Sequence, residues 1–188
     1  MHQRPNVTRH KRTRLGLFAC ALVHGCMFAF ATQAAADETI DRVLALVAGQ
    51  PVTLTDVTAA RDLRLAPAGA AADPIRAVLA TLIDRALILA EVDRYAPPEP
   101  SADMVDREVE QVRARFPSPQ AFDVTLARSG IDVGHLRQTL REDLRIRAYL
   151  DQRFAAPGAE QPRQALVDEW VAGLRRRADV IDLYLPGR

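Results

Sequence analysis

Residues 73–95 limit the folds open to this chain more than any other segment. The segment opens with Asp73 and Pro74, the favoured cap and first-turn residues of a helix, and prolines at 97, 98 and 100 close it. Apolar residues form a wide stripe along it, and residues 86–90 are apolar on every side. This pattern predicts a long helix buried at the centre of the fold.

Shorter elements are predicted around this helix. Residues 40–54 predict a tight hairpin with its turn at Gly49 and Gln50, and Thr55 predicts the start of a helix over 56–65. The remaining predicted helices cover 102–115, 119–129, 133–154 and 163–177, and Ser101, Ser118 and Asp132 are expected to start the first three of them. A strand is predicted over 180–185. A lone terminal strand needs a partner, so we expect it to pair with the hairpin. The predicted fold class is mostly α with a small β-sheet, built from five or six helices.

The first 36 residues have the order of an export signal. Five basic residues and no acidic residue precede an apolar run over 15–31, and small residues follow it up to Ala36. We expect cleavage near Ala36, which leaves a periplasmic domain over 37–188 without stable membrane insertion. An uncleaved anchor, or a lipid attached at Cys20 or Cys26, is the less favoured alternative.

The segment 37–188 offers few groups for chemistry. It contains no cysteine, His135 is its only histidine, and its 20 basic and 24 acidic residues give a net charge of −4. We therefore expect no catalytic residue, no metal site, no cofactor and no nucleic-acid partner. The neighbouring Glu142 and Asp143 are interpreted as part of a solvated face, with Asp143 paired to Arg147 one turn further along.

The order of these elements resembles the SurA-type periplasmic chaperones. Residues 41–57, DRVLALVAGQPVTLTDV, are similar to the hairpin A-x-V-N-G-x-x-I-T-x-x-D-V that opens that family, with Ala48 in place of the usual Asn. Residues 79–91 resemble its next helix, L-I-x-x-x-L-I-x-x-A, and LRQTLREDL at 136–144 resembles part of the helix pair that follows. The resemblance covers residues 41–154.

The resemblance also includes a clear departure from the family. SurA-like proteins usually carry parvulin prolyl-isomerase domains after these helices, and here only the linker 155–162 occupies that place. Residues 163–188 are similar to the helix and strand that return to complete the family's core. The resemblance therefore implies a chaperone core without its isomerase modules, and we expect no enzymatic activity.

The function implied by this resemblance is that of an ATP-independent chaperone for unfolded exported or outer-membrane polypeptides. Such a protein needs an apolar groove, and the candidate lining residues are Met104, Val105, Phe116, Phe122, Tyr149 and Trp170. Core packing is the favoured interpretation of Phe122 and Trp170, which lie in apolar stripes. Serine at Met104 and Phe116 is expected to weaken client binding without unfolding the domain.

Two questions stay open at the level of sequence. The same scaffold could instead serve as a dedicated partner-binding subunit of an envelope or secretion assembly, without general chaperone activity. The oligomeric state is also undetermined, because the last strand could pair within its own chain or with a neighbour's.

Overall fold

The computed structural model describes residues 41–67, 69–155 and 162–185, and this part of the chain forms six helices and one three-stranded sheet. The strands are β1 (Val43–Val47), β2 (Gln50–Thr53) and β3 (Val180–Asp182). The helices are α1 (Leu54–Asp62), α2 (Pro74–Tyr95), α3 (Ala102–Arg113), α4 (Pro119–Arg128), α5 (Val133–Arg153) and α6 (Arg163–Arg177). The predicted fold class is confirmed. The export signal, its cleavage site and residues 156–161 of the linker lie outside the described residues.

The predicted hairpin is confirmed, but its turn lies one residue earlier than expected. Ala48 and Gly49 occupy the two turn positions with φ values of 50° and 81°, as a two-residue turn of type I′ requires. The pairing shifts between Val43 and Ala45, which leaves Leu44 as an extra residue of β1. Leu44 and Ala45 are both fully buried. This bulge interrupts the alternation of apolar residues along β1.

The terminal strand pairs with the hairpin of its own chain, as predicted. The strand order is β2-β1-β3, and β3 runs antiparallel to β1 with Leu46 opposite Ile181 and Val47 opposite Val180. The regular strand ends at Asp182 instead of residue 185, although the Leu183 N–H still donates to the Leu44 carbonyl at 2.9 Å. Pairing of the first and last strands closes the described fold.

Helix α1 begins two residues before the predicted start. Thr53, not Thr55, is its N-cap: the Thr53 hydroxyl accepts from the Asp56 N–H at 3.2 Å, and the Asp56 carboxylate accepts from the Thr53 N–H at 2.8 Å. This reciprocal pair is a capping box. Thr55 lies in the first turn, where its N–H donates to Asp41. The predicted caps Asp73, Ser101, Ser118 and Asp132 of the next four helices are all confirmed.

Helix α2 is the central element, as its apolar stripe predicts. It contacts the sheet, α1, α5 and α6, and its Val78, Leu79, Ile83 and Leu87 join the core beneath the sheet. A second core lies among α3, α4 and α5 and is centred on Phe122. None of the described helices is both long enough and apolar enough to cross a membrane.

The interpretation of Glu142 and Asp143 as a solvated face is wrong. Arg85 of α2 reaches both carboxylates, with Nη2 donating to Glu142 at 2.9 Å and Nε donating to Asp143 at 2.7 Å. The pairing predicted for Asp143 and Arg147 is wrong as well, because Arg147 pairs with Glu108 of α3 at 2.9 Å. The carboxylates of α5 thus bind a neighbouring helix, which the spacing within α5 does not reveal.

Candidate functional site

The six predicted binding residues lie in pairs rather than along one groove. Met104 and Val105 lie in the first turn of α3. Phe116 and Phe122 stack edge to face with ring centroids 5.6 Å apart. Tyr149 and Trp170 bring α5 and α6 together with centroids 6.0 Å apart. Among the described residues, no ring contact joins the second pair to the third.

Burial separates these residues further. Val105 and Phe122 have no exposed surface and Tyr149 is buried, so none of the three can touch a client in this conformation. Core packing of Phe122 is therefore confirmed, whereas Trp170 is only partly buried against two clusters. Phe116 is partly buried on Phe122, so serine there should destabilise the domain, contrary to the expectation from sequence. Met104 is exposed, and its role in binding stays a prediction.

An aromatic cluster surrounds the Tyr149 and Trp170 pair. The Tyr95 ring at the end of α2 lies against the Tyr149 ring, with centroids 5.5 Å apart, and the Phe154 ring lies against the Trp170 ring, with centroids 5.8 Å apart. The Arg153 guanidinium lies 5.1 Å from the centre of the Trp170 ring. Tyr95 is largely exposed, and the sequence reasoning missed it because it treated the last turn of α2 only as a helix end. The cluster joins three helices and exposes one aromatic ring.

The exposed apolar side chains concentrate on the sheet and on the residues that follow β3. Val43, Ile181, Leu183 and Leu185 are 36%, 46%, 45% and 56% exposed, and they make up half of the large exposed apolar residues in the described part of the chain. Leu46 lies directly opposite Ile181 and is partly exposed. We call this surface, formed by Val43, Leu46, Ile181, Leu183 and Leu185, the sheet face.

The sheet face is exposed because the side chains of residues 180–185 point alternately to the two sides of the sheet. Val180 and Tyr184 pack on the core beneath the sheet, and Asp182 pairs with Arg76 of α2 at 2.5 Å. The residues between them, Ile181 and Leu183, therefore point to the opposite side. The sequence predicts a strand over 180–185, but it does not show which of its two apolar sets is covered by α2.

Polar contacts fasten this segment to the first turn of α2. The Tyr184 hydroxyl donates to Asp73 at 2.8 Å, and the other Asp73 oxygen accepts from the Arg76 N–H at 2.9 Å. These two hydrogen bonds lower the pKa of Asp73, with the Arg76 backbone contributing most. The carboxylate of Asp73 in turn raises the pKa of Tyr184. The inward side of the segment is thus fixed, while its outward side stays free for contacts.

A shallow groove between α2 and α6 is a second candidate surface. Its volume is about 340 Å³, with an apolar lining from Ile88, Val167 and Val171 and charges from Asp84, Asp168 and Arg175 among its walls. Arg175, in the last turn of α6, pairs with Asp84 and donates to the Ala80 carbonyl at 2.9 Å. Hydrogen bonding to Asp84 raises the pKa of Arg175 against the opposing effect of burial.

The described residues include one histidine and no cysteine, the side chains that most often act in catalysis or bind metals. His135 is exposed on the first turn of α5, with its Nε2 3.8 Å from a carboxylate oxygen of Asp56. The described residues hold no group of three or more histidine, cysteine, aspartate and glutamate side chains that could bind a metal ion. What the described surface offers is contact area, on the sheet face and in the groove.

No protein-family model matches this chain, and no curated protein sequence matches it either. The resemblance to SurA-type chaperones therefore stays a prediction.

Proposed function

We propose that this protein is an ATP-independent, chaperone-like protein of the periplasm that holds unfolded exported polypeptides, outer-membrane proteins among them. The observation that supports the proposal most strongly is the concentration of exposed apolar residues on the sheet face. Single exposed apolar residues are ordinary on protein surfaces, but a group on one surface is typical of an interaction site.

The chemistry of the sheet face suits an unfolded client. An extended polypeptide presents a side chain to the same side at every second residue, which matches the spacing of Ile181, Leu183 and Leu185. Each of these side chains is about half exposed, so covering it should contribute roughly 1 kcal/mol. Binding of one segment would then be weak and reversible, as a holding chaperone without a nucleotide cycle requires.

Two features of the sequence support the proposed location and clients. The first 36 residues have the composition of an export signal, which would place the domain where outer-membrane proteins are still unfolded. The resemblance of residues 41–154 to the SurA-type chaperone core points to the same class of client.

Light scattering tests this proposal directly. The chain freed of its first 36 residues should suppress the aggregation of a chemically unfolded outer-membrane protein at near-equimolar ratios. The double variant Ile181→Ser, Leu183→Ser should suppress it several-fold less, because two client-contacting side chains lose their apolar surface.

The matched control replaces two exposed valines on other elements, Val124→Ser on α4 and Val133→Ser on α5. This control should act like the wild-type chain. A well-folded wild-type sample that leaves aggregation unchanged would refute the proposal. An equal loss in both double variants would show that the sheet face is not the binding surface.

The charged groove favours the alternative function, that of a dedicated partner-binding subunit. Asp84, Asp168 and Arg175 near an apolar strip suit one complementary folded surface better than many unrelated clients. Tight binding to a single envelope protein, weakened by Asp168→Arg and accompanied by no suppression of aggregation, would favour this alternative.

A further inference from the structure

The two edges of the sheet differ in their capacity to accept another strand. Pro51 lies in the edge strand β2, and proline has no N–H to donate. The other edge, β3 and the residues that follow it to 185, contains no proline and no lysine. Edge strands usually carry such protection, so β3 is the open edge of the described sheet.

The hydrogen bonds to β1 show which backbone groups face this open edge. The Leu183 N–H donates to Leu44 at 2.9 Å, and the Asp179 carbonyl accepts from Ala48 at 3.0 Å. Because alternate residues of an antiparallel strand face the same neighbour, the odd-numbered residues of β3 bond β1. The backbone groups of residues 180, 182 and 184 therefore face away from the sheet. One of them, the Tyr184 N–H, donates to the Asp182 side chain at 3.0 Å.

We infer that this edge joins two copies of the chain: residues 181–185 pair antiparallel with the same residues of a second copy, about a two-fold axis at Leu183. The inference does not depend on the proposed chaperone function. It rests on the open edge and on the self-complementary sequence of the segment.

The register follows from which residues can face each other. Residues directly opposite in a sheet lie on the same face. With the axis at Asp182, the Asp182 carboxylates of the two copies would lie directly opposite each other, and like charges in that position are destabilising. An axis at Leu183 places Leu183 opposite Leu183 and Ile181 opposite Leu185, all on the sheet face. On the other face it places Asp182 opposite Tyr184. Among these registers, the axis at Leu183 matches apolar with apolar residues and keeps the two acids apart.

Charge favours the same register. The Arg76 guanidinium pairs with Asp182 of its own chain and lies 5.8 Å from the centre of the Tyr184 ring. Since the Asp182 of the second copy would lie opposite this Tyr184, it would approach the same guanidinium. Each carboxylate then lies near an arginine of both copies. In the dimer, the Tyr184 N–H would donate to a backbone carbonyl of the second copy instead of to the Asp182 side chain of its own chain.

Pairing in this register would extend the sheet to six strands without covering the sheet face. The apolar residues of both copies would form one continuous surface twice as large. Only five residues of each copy take part, so the interface falls below the size of about 1,200 Å² that is typical of stable complexes. The dimer should therefore be weak and depend on protein concentration.

Cysteine cross-linking tests the register in the full chain, with Cys20 and Cys26 replaced by serine. The Leu183→Cys variant should oxidise to a disulfide-linked dimer, because cysteines that face each other across a non-hydrogen-bonded pair have suitable geometry. The control is Val124→Cys, which is more exposed at 66% and would link faster if random collision were responsible. We expect Leu183→Cys to link at least about tenfold faster than this control.

A second cross-link distinguishes this register from its neighbours. A mixture of Ile181→Cys and Leu185→Cys chains should yield the mixed dimer, while neither variant alone should link faster than the control. Self-linking of Ile181→Cys at the rate of Leu183→Cys would overturn the register.

Sedimentation velocity tests the dimer without any cross-link. The wild-type chain should dimerise with rising concentration, and Leu183→Lys should weaken dimerisation roughly tenfold by placing two ammonium groups at the axis. Val124→Lys should leave it unchanged, with circular dichroism confirming that each variant is folded. A wild-type chain that stays monomeric, or Leu183→Lys and Val124→Lys chains that dimerise alike, would overturn the inference. Neither outcome would change the result of the light-scattering experiment, which tests the proposed chaperone function separately.

Discussion

Arg85 shows how one side chain can fix the position of two helices. Its guanidinium bridges from α2 to Glu142 and Asp143 and also donates to the Thr139 carbonyl at 3.0 Å. Burial disfavours its charge, but the two carboxylates outweigh that effect, so the pKa of Arg85 is raised. The planar fork of arginine can serve several acceptors at once, which an ammonium group does less well.

Replacing Arg85 with methionine should cost about 2 kcal/mol of unfolding free energy, because two partly buried carboxylates would lose their partner. Urea denaturation followed by circular dichroism measures this loss. The matched control is Arg94→Met, since Arg94 is exposed and pairs with Glu91 one turn away within α2. That change should cost under about 0.5 kcal/mol. Equal losses in the two variants would contradict a bridging role for Arg85.

The charge of the Asp73 carboxylate makes the stability of the folded chain depend on pH. Its pKa is lowered in the folded chain by the Arg76 N–H and the Tyr184 hydroxyl. The stability that its charge contributes is therefore fully present above the ordinary carboxyl pKa of 3.8 and is lost as pH falls through the lowered value.

The variant Asp73→Asn keeps an oxygen for the helix cap but removes this titration. We expect the wild-type chain to be more stable than Asp73→Asn at neutral pH, with the difference shrinking as pH falls below 3.8. Thermal unfolding at a series of pH values measures the difference. Asp123→Asn, on the exposed surface of α4, should show little difference at any pH. A gap between wild type and Asp73→Asn that stays constant into acid would rule out the linkage.

At the scale of elements, the boundaries of the helices follow the hydrogen-bonding capacity of their first residues. Four of the five side-chain caps lie where the sequence predicts them. The exception is α1, where Thr53 and Thr55 are chemically identical candidates. The choice falls on Thr53 because β2 carries extended backbone up to that residue and because Asp56 lies three residues beyond it, at the position that completes a capping box.

This choice can be tested with two alanine variants that differ only in position. Thr53→Ala removes the cap and should lower the unfolding free energy by about 1 kcal/mol. Thr55→Ala, within the first turn of the same helix, should have a clearly smaller effect because alanine favours the helix. Urea titrations of both variants measure the difference. A larger loss in Thr55→Ala would place the cap where the sequence first suggested it.

At the scale of the whole molecule, the sheet joins segments that lie far apart in the chain. β1 lies between its neighbour β2 and the distant β3, and α2 covers the inner side of this sheet. The sheet face and the open edge both result from this closure, because α2 covers one side of the C-terminal segment and β1 occupies one of its edges. If two copies pair along the remaining edge, the apolar surface doubles and two weak client contacts can act together.

The sequence by itself determined the elements of this protein. Helix periodicity, capping residues and prolines act over a few positions, so α2, four of the caps and the pairing of the terminal strand with the hairpin could be predicted. The tertiary structure alone decided which apolar side chains are exposed. Phe122 and Leu183 are both apolar residues in regular elements, yet one is fully buried and the other lies on the sheet face. The same holds for Glu142 and Asp143, whose partner Arg85 lies more than fifty residues away. Local spacing fixes the direction of a side chain relative to its own element, but only packing decides what lies in that direction.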